Sequence, residues 1–169
     1  GFALGACGHT LPPNAPYDAT AAVVDLSSKT VALVVEDDEG ETRAYCTGVW
    51  IAENMILSAN HCVDEEAIGS RVGYVTRSDV YSSGSYVERD ATEWHYGSLL
   101  ARDAAHDLVL IRTVSPHLHG VAELTNSEVL PGTFVQTMGH PIGLWWNYSS
   151  GTVAAVYSKD LGAGERLWI

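Results

Sequence analysis

An all-β fold is predicted by three features of this 169-residue chain. Short runs rich in Val, Ile, Tyr and Trp recur along it. Clusters of Gly, Asn, Asp and Ser punctuate those runs, as in Glu36-Asp37-Asp38-Glu39-Gly40. No long apolar pattern of helical period is present, so the usual helical share of a globular domain is undershot.

Taken in order, residues 11 to 20, LPPNAPYDAT, are proline-rich and polar and read as an extended linker. Strands are expected at Ala21 to Leu26, Val31 to Val35, Ala44 to Ile51 and Met55 to Ser58. Together they suggest an antiparallel meander closing a small barrel. Asp64 to Ile68 suits one helical turn and Arg71 to Thr76 another strand, whereas Ser78 to Ser85 is turn-like. Tyr86 to Asp90 and Thr92 to His95 show only local alternation. Asp107 to Val114, DLVLIRTV, is an apolar run bounded by polar residues and Pro116, and should end the first barrel. A second group follows: a strand at Thr133 to Met138, a turn at Gly139 to Gly143, a strand at Gly151 to Tyr157, and another beginning at Arg166. The expected organisation is a linker over 1–20, a barrel over 21–116 and a partial second barrel over 117–169.

The composition, 46% hydrophobic and 18% charged, can bury a real core. A formal charge of −12 argues against nucleic acid or an anionic membrane surface as the main partner. Its scattered acidic residues read as solvated turns.

The chemistry concentrates in residues 46 to 63, CTGVWIAENMILSANHCV. A hydrolase of the acyl-transfer kind needs a hydroxyl nucleophile, a histidine to carry its proton, and a carboxylate to fix the imidazole tautomer. His61 and Asp107 are candidates for the last two. Alone, His61 could be a satisfied loop residue. Asp107 could be a strand-leading turn residue, with Asp103 as its competitor. Asp107 is preferred because the head of an apolar strand can hold a carboxylate rigidly, whereas Asp103 lies in a polar loop. His61, Cys62 and Asp64, and the pair His117 and His119, are ligand types close in sequence, but without HExxH or paired CxxC motifs no metal or other cofactor is expected. Trp145, Trp146 and Tyr148 could line a groove, though loop packing explains them as well.

SANHCV resembles the histidine motif of trypsin-like, chymotrypsin-fold serine proteases, with Asn60 where many relatives carry alanine. The 46-residue step to Asp107 and the strand DLVLI match that family's order. MGHPIGL followed by SSGTVAAV resembles the second-barrel segment of bacterial trypsin-like and HtrA-type enzymes, in which asparagine is commoner at His140. The resemblance covers roughly residues 30 to 169. It implies a chymotrypsin-like double β-barrel, the first barrel complete and the second truncated. It also implies His61 as general base, Asp107 as its orienting carboxylate, and protein or peptide substrates. Cys46 and Cys62 match the family's disulfide flanking the histidine; such a bridge would be worth about 3 kcal/mol in the chain-entropy model. Two free thiols in a reducing compartment are the alternative.

The same resemblance places the nucleophile in a GNSGG- or GDSGG-type sequence about a dozen residues past Ile169. Of the serines after Asp107, only Ser150 precedes glycine, and NYSSGTV matches the strand entry rather than the nucleophile loop. The expectation is therefore a serine endopeptidase fragment, inactive as residues 1–169, with a catalytically inactive binding or structural module as the alternative. The Ile-Val-Gly-Gly tetrapeptide that activates trypsin does not occur.

Leu4-Gly5-Ala6-Cys7 resembles a bacterial lipobox, against the plain alternative of a terminal cysteine. It implies a signal-peptide remnant, a lipid anchor on Cys7, and a secreted, periplasmic or cell-surface location. Lipidation would also account for the odd third cysteine.

Overall fold

The computed structural model describes residues 19–36, 42–63, 65–81, 94–118, 120–157 and 166–168. Six strands close a barrel: β1 (Thr30–Glu36), β2 (Thr42–Ala52), β3 (Met55–Ala59), β4 (Arg71–Thr76), β5 (His95–Asp103) and β6 (Leu108–Thr113). Around the barrel the order is β1-β2-β3-β6-β5-β4, and every pair is antiparallel. Closure leaves no barrel strand with an unpaired edge. Outside it lie two smaller pairs: β7 (Phe134–Gly139) with β8 (Asn147–Thr152), and β9 (Ala155–Tyr157) with β10 (Arg166–Trp168). This is the chymotrypsin-like arrangement, with one full barrel and part of a second.

Strand alternation sends Val31, Leu33, Trp50, Ile56, Val72, Tyr74, Leu99, Val109 and Ile111 into the barrel interior. Space there is limited, so two inward positions carry glycine. A Cβ on Gly48 would stand 2.5 Å from Ile56 Cγ2, and one on Gly97 would stand 2.5 Å from Ile111 Cγ2. The outer face of β1 is buried too. Ala32 and Val34 join Ala44 and Val75 in a second cluster, against which Trp94, Trp145 and Trp146 pack. The paired tryptophans lie in the turn that precedes β8 and pack, half-buried, on the outside of the barrel.

Two elements depart from the sequence reading. Residues expected as a strand at Ala21 to Leu26 belong to α1 (Ala19–Lys29). Its Ala22, Val23, Leu26 and Ser27 turn inward while Thr20, Ala21, Val24 and Asp25 face solvent, a spacing of helical period. Lys29 pairs with Asp25 one turn back at 2.8 Å, and Thr30 Oγ1 donates to the Leu26 carbonyl at 2.7 Å. The sixth barrel strand is instead β5, which the sequence left nearly blank. Its inward side presents Gly97 and Leu99, and a register shift between Leu99 and Ala101 then breaks the alternation.

Smaller differences follow. Of the helical turn expected at Asp64 to Ile68, the described residues 65–68 form turns and bends rather than helix, and a 3₁₀ turn lies just before them over Asn60–Cys62. Ser78 opens no simple turn but lies in α2 (Arg77–Tyr81). The strand expected over Gly151 to Tyr157 is divided between β8 and β9. Cys7, Asp64, His119 and the segment Tyr86 to Asp90 lie outside the described residues.

Candidate active site

The pairing of β3 with β6 brings the site together. Its register sets Ala59 opposite Leu108, and the ladder runs one step further, with the Asn60 N–H donating to the Asp107 carbonyl at 3.0 Å. Beyond that point the chain tightens into the 3₁₀ turn, in which Val63 N–H donates back to the Asn60 carbonyl at 2.9 Å. The turn swings His61 across the head of β6. From the other side, Asp107 ends the turn that links β5 to β6 with a left-handed backbone, φ 56°. Few residues other than glycine take that conformation readily, and Asp is one of them.

The two side chains meet. His61 Nδ1 and Asp107 Oδ2 are 2.7 Å apart, and the His61 backbone N–H donates to Oδ1 at 2.8 Å. Both carboxylate oxygens are thus occupied by one residue, which sets the imidazole's position and its rotation. The His61 side chain is 56% exposed and that of Asp107 27%, so the carboxylate sits beneath the ring and the ring opens to solvent. Burial pushes the Asp107 carboxyl up, but the hydrogen bond from the His61 ring, the one from its backbone N–H and the imidazole's charge together hold it below the ordinary carboxylate value. It is therefore an anion at neutral pH, able to accept a hydrogen bond from Nδ1–H and so favour the tautomer that leaves Nε2 as the basic atom. Among the described residues, no serine hydroxyl is hydrogen-bonded to the His61 ring.

Asp103 is elsewhere engaged. Its carboxylate pairs with His106 Nδ1 at 2.7 Å and accepts from the backbone N–H groups of Ala105 and His106. It organises the turn that delivers Asp107. Ser150 lies on β8 opposite Gln136, an exposed strand position rather than a turn.

A disulfide joins Cys46 on β2 to Cys62, the neighbour of His61, with their Cα atoms 6.2 Å apart. Next to Cys46, Thr47 performs two tasks. Its carbonyl accepts from the buried Ser58 hydroxyl at 2.8 Å, and its own hydroxyl lies 3.2 Å from His140 Nδ1 and accepts from the His140 N–H at 2.9 Å. His140 is buried, with Trp146 packed edge-on against its ring. The strand that anchors the His61 turn is thereby fastened to the second unit. Sequence reasoning missed this role of Thr47; the buried-polar partner of His140 could not be found without the pairing of distant segments.

The sequence model of the trypsin-like peptidase domain matches residues 46–167, most of the chain and all of the site just described. The chain belongs to the trypsin-like peptidase domain family.

Solved structures show the same fold. One is an HtrA-type protease, AlgW, solved with a tripeptide; it is 16% identical, with a TM-score of 0.59 over 88% of this chain and 43% of that one. Another is the serine endoprotease from Yersinia pestis, also 16% identical, with a TM-score of 0.61 over 85% of this chain and 46% of the other. This trypsin-like domain thus spans less than half the length of either. No curated protein sequence matches it.

Proposed function

We propose that this trypsin-like domain supplies the base and the orienting carboxylate of a serine endopeptidase, which cleaves peptide bonds through an acyl-enzyme. The observation that carries the reading is the double hydrogen bond between His61 and Asp107. With Nδ1 bound to Asp107, Nε2 accepts the proton of a serine hydroxyl as that oxygen attacks the scissile carbonyl. The imidazolium so formed is stabilised by Asp107 and returns the proton to the leaving amine. Water then repeats the cycle on the acyl-enzyme. The serine of this reading stands in a GxSGG-type sequence beyond residue 169, together with the backbone donors that stabilise the oxyanion. Residues 1–169 alone are then without turnover.

Protein or peptide substrates accord with this chemistry and with the tripeptide in the AlgW structure. A secreted or cell-surface location, with Cys7 as lipid anchor, accords with the lipobox-like start and with the disulfide. Hydrolysis of a quenched fluorescent peptide by the chain extended through the GxSGG-type sequence tests the proposal. Activity abolished by His61→Ala supports it; an extended protein without hydrolysis, against a panel of peptides varied at the cleaved bond, contradicts it.

A further inference from the structure

The donor atoms of Cys46, His61 and Cys62 all lie within 4.8 Å of one another. In the oxidised protein the two sulfurs are spent on their mutual bond. Breaking that bond leaves two thiols beside an imidazole, on a frame that already holds all three close. We propose that reduction of the Cys46–Cys62 bridge converts this corner into a site for one zinc ion, bound by two thiolates and the His61 ring, and that zinc there silences the base. The silencing, but not the metal site, rests on the reading of His61 as the general base.

The chemistry balances with a dithiol as reductant. It transfers two electrons and two protons to the disulfide and becomes a disulfide itself, leaving Cys46 and Cys62 as thiols. Zinc then displaces the two thiol protons. Two sulfurs and one imidazole nitrogen match zinc's preference, and a fourth position stays open to water. Bond lengths of about 2.3 Å to sulfur and about 2.0 Å to nitrogen place tetrahedral ligand atoms roughly 3.5 to 4 Å apart. The spacing on hand therefore needs the two sulfurs to part by side-chain rotation, not a rearrangement of strands.

The frame favours such a site. Cys46 sits within β2 opposite Leu33 of β1, and Cys62 closes the 3₁₀ turn whose first residue is buried. His61 is the exposed member, so zinc has a path from solvent. Either ring nitrogen gives the same functional result. Ligation through Nδ1 displaces Asp107, whereas ligation through Nε2 occupies the atom that would take the serine proton. Reoxidation by a small-molecule disulfide, which takes up the two electrons and is itself reduced to two thiols, re-forms the Cys46–Cys62 bond, releases the zinc and restores the His61–Asp107 pair, which makes the corner a reversible redox switch.

The test uses the 169-residue chain carrying Cys7→Ser, so that the third thiol takes no part. After reduction with a phosphine, zinc affinity is read by competition with a chromogenic chelator, while circular dichroism follows the barrel. One zinc per folded, reduced chain is expected, with none bound by the oxidised protein. His61→Ala, which keeps both thiols, should weaken binding at least about tenfold. A reduced chain that binds no zinc, that binds equally well after His61→Ala, or that loses its barrel overturns the proposal. In an active extended chain, zinc bound without inhibition would instead fault the catalytic reading of His61 and leave the site standing.

Discussion

His61 and Asp107 are joined twice, ring Nδ1 to Oδ2 at 2.7 Å and backbone N–H to Oδ1 at 2.8 Å. The second bond ties the carboxylate to the main chain of the residue it orients. Ring and carboxylate therefore move together, and the imidazole's orientation does not depend on a single rotatable contact.

Asp107→Asn tests that coupling. The carboxamide can present its NH₂ toward Nδ1, which would favour the wrong tautomer, so kcat of an active extended chain should fall by about 10⁴-fold. Asn tolerates the left-handed backbone at φ 56°, so stability should fall by only about 1–3 kcal/mol, the worth of hydrogen bonds to a charged group. On residues 1–169 the check is by NMR. A downfield His61 Nδ1 proton should vanish in Asp107→Asn and persist in Asp103→Asn, whose carboxylate serves His106.

The pH dependence of stability follows from the same carboxylate. Its folded value is held below the unfolded 3.8, so its contribution is fully present above that value and is lost as pH falls through the lower, folded one. Urea midpoints measured from pH 6 to pH 2 should show the native chain losing its advantage over Asp107→Asn only below about pH 4. An advantage that disappeared already near pH 6 would point to a different group.

How far the sequence carries can be judged element by element. Five barrel strands were legible because Val, Ile and Leu alternate or run together at β1, β2, β3, β4 and β6. β5 was not, since glycine stands at the inward position 97 and a register shift follows Leu99. The Val-rich α1 misled in the opposite direction, its pair Val23-Val24 reading as strand until the burial of Leu26 and Ser27 fixes a helical face. At the site, residue types and their order singled out His61 and Asp107, but only the register of β3 against β6 brings them into contact. The link from Thr47 to His140 joins residues 93 apart and had no local signature at all.

Packing inside the barrel gives a further expectation. A methyl group at position 97 meets Ile111 Cγ2 at 2.5 Å and the Arg112 carbonyl oxygen at 2.9 Å, and the latter belongs to a paired strand that cannot step aside. Gly97→Ala should cost about 1–3 kcal/mol by urea denaturation. Gly151→Ala, with nothing within 4 Å, should cost under about 1 kcal/mol.

The disulfide closes a loop of sequence separation 16. Replacing both cysteines, Cys46→Ala with Cys62→Ala, should lower stability by about 2–4 kcal/mol, read from denaturant midpoints under oxidising conditions. Peptide hydrolysis by an active extended chain should persist at temperatures where that variant stays folded, because neither sulfur touches the reacting atoms.

Covalent capture by a fluorophosphonate, mapped by peptide mass spectrometry, tests the central claim most directly. On the function proposed above, the His61–Asp107 pair serves a serine beyond residue 169. Labelling is therefore expected at the GxSGG serine of the extended chain, lost in His61→Ala and absent from residues 1–169. Labelling of an internal serine such as Ser150 in the 169-residue chain would contradict it.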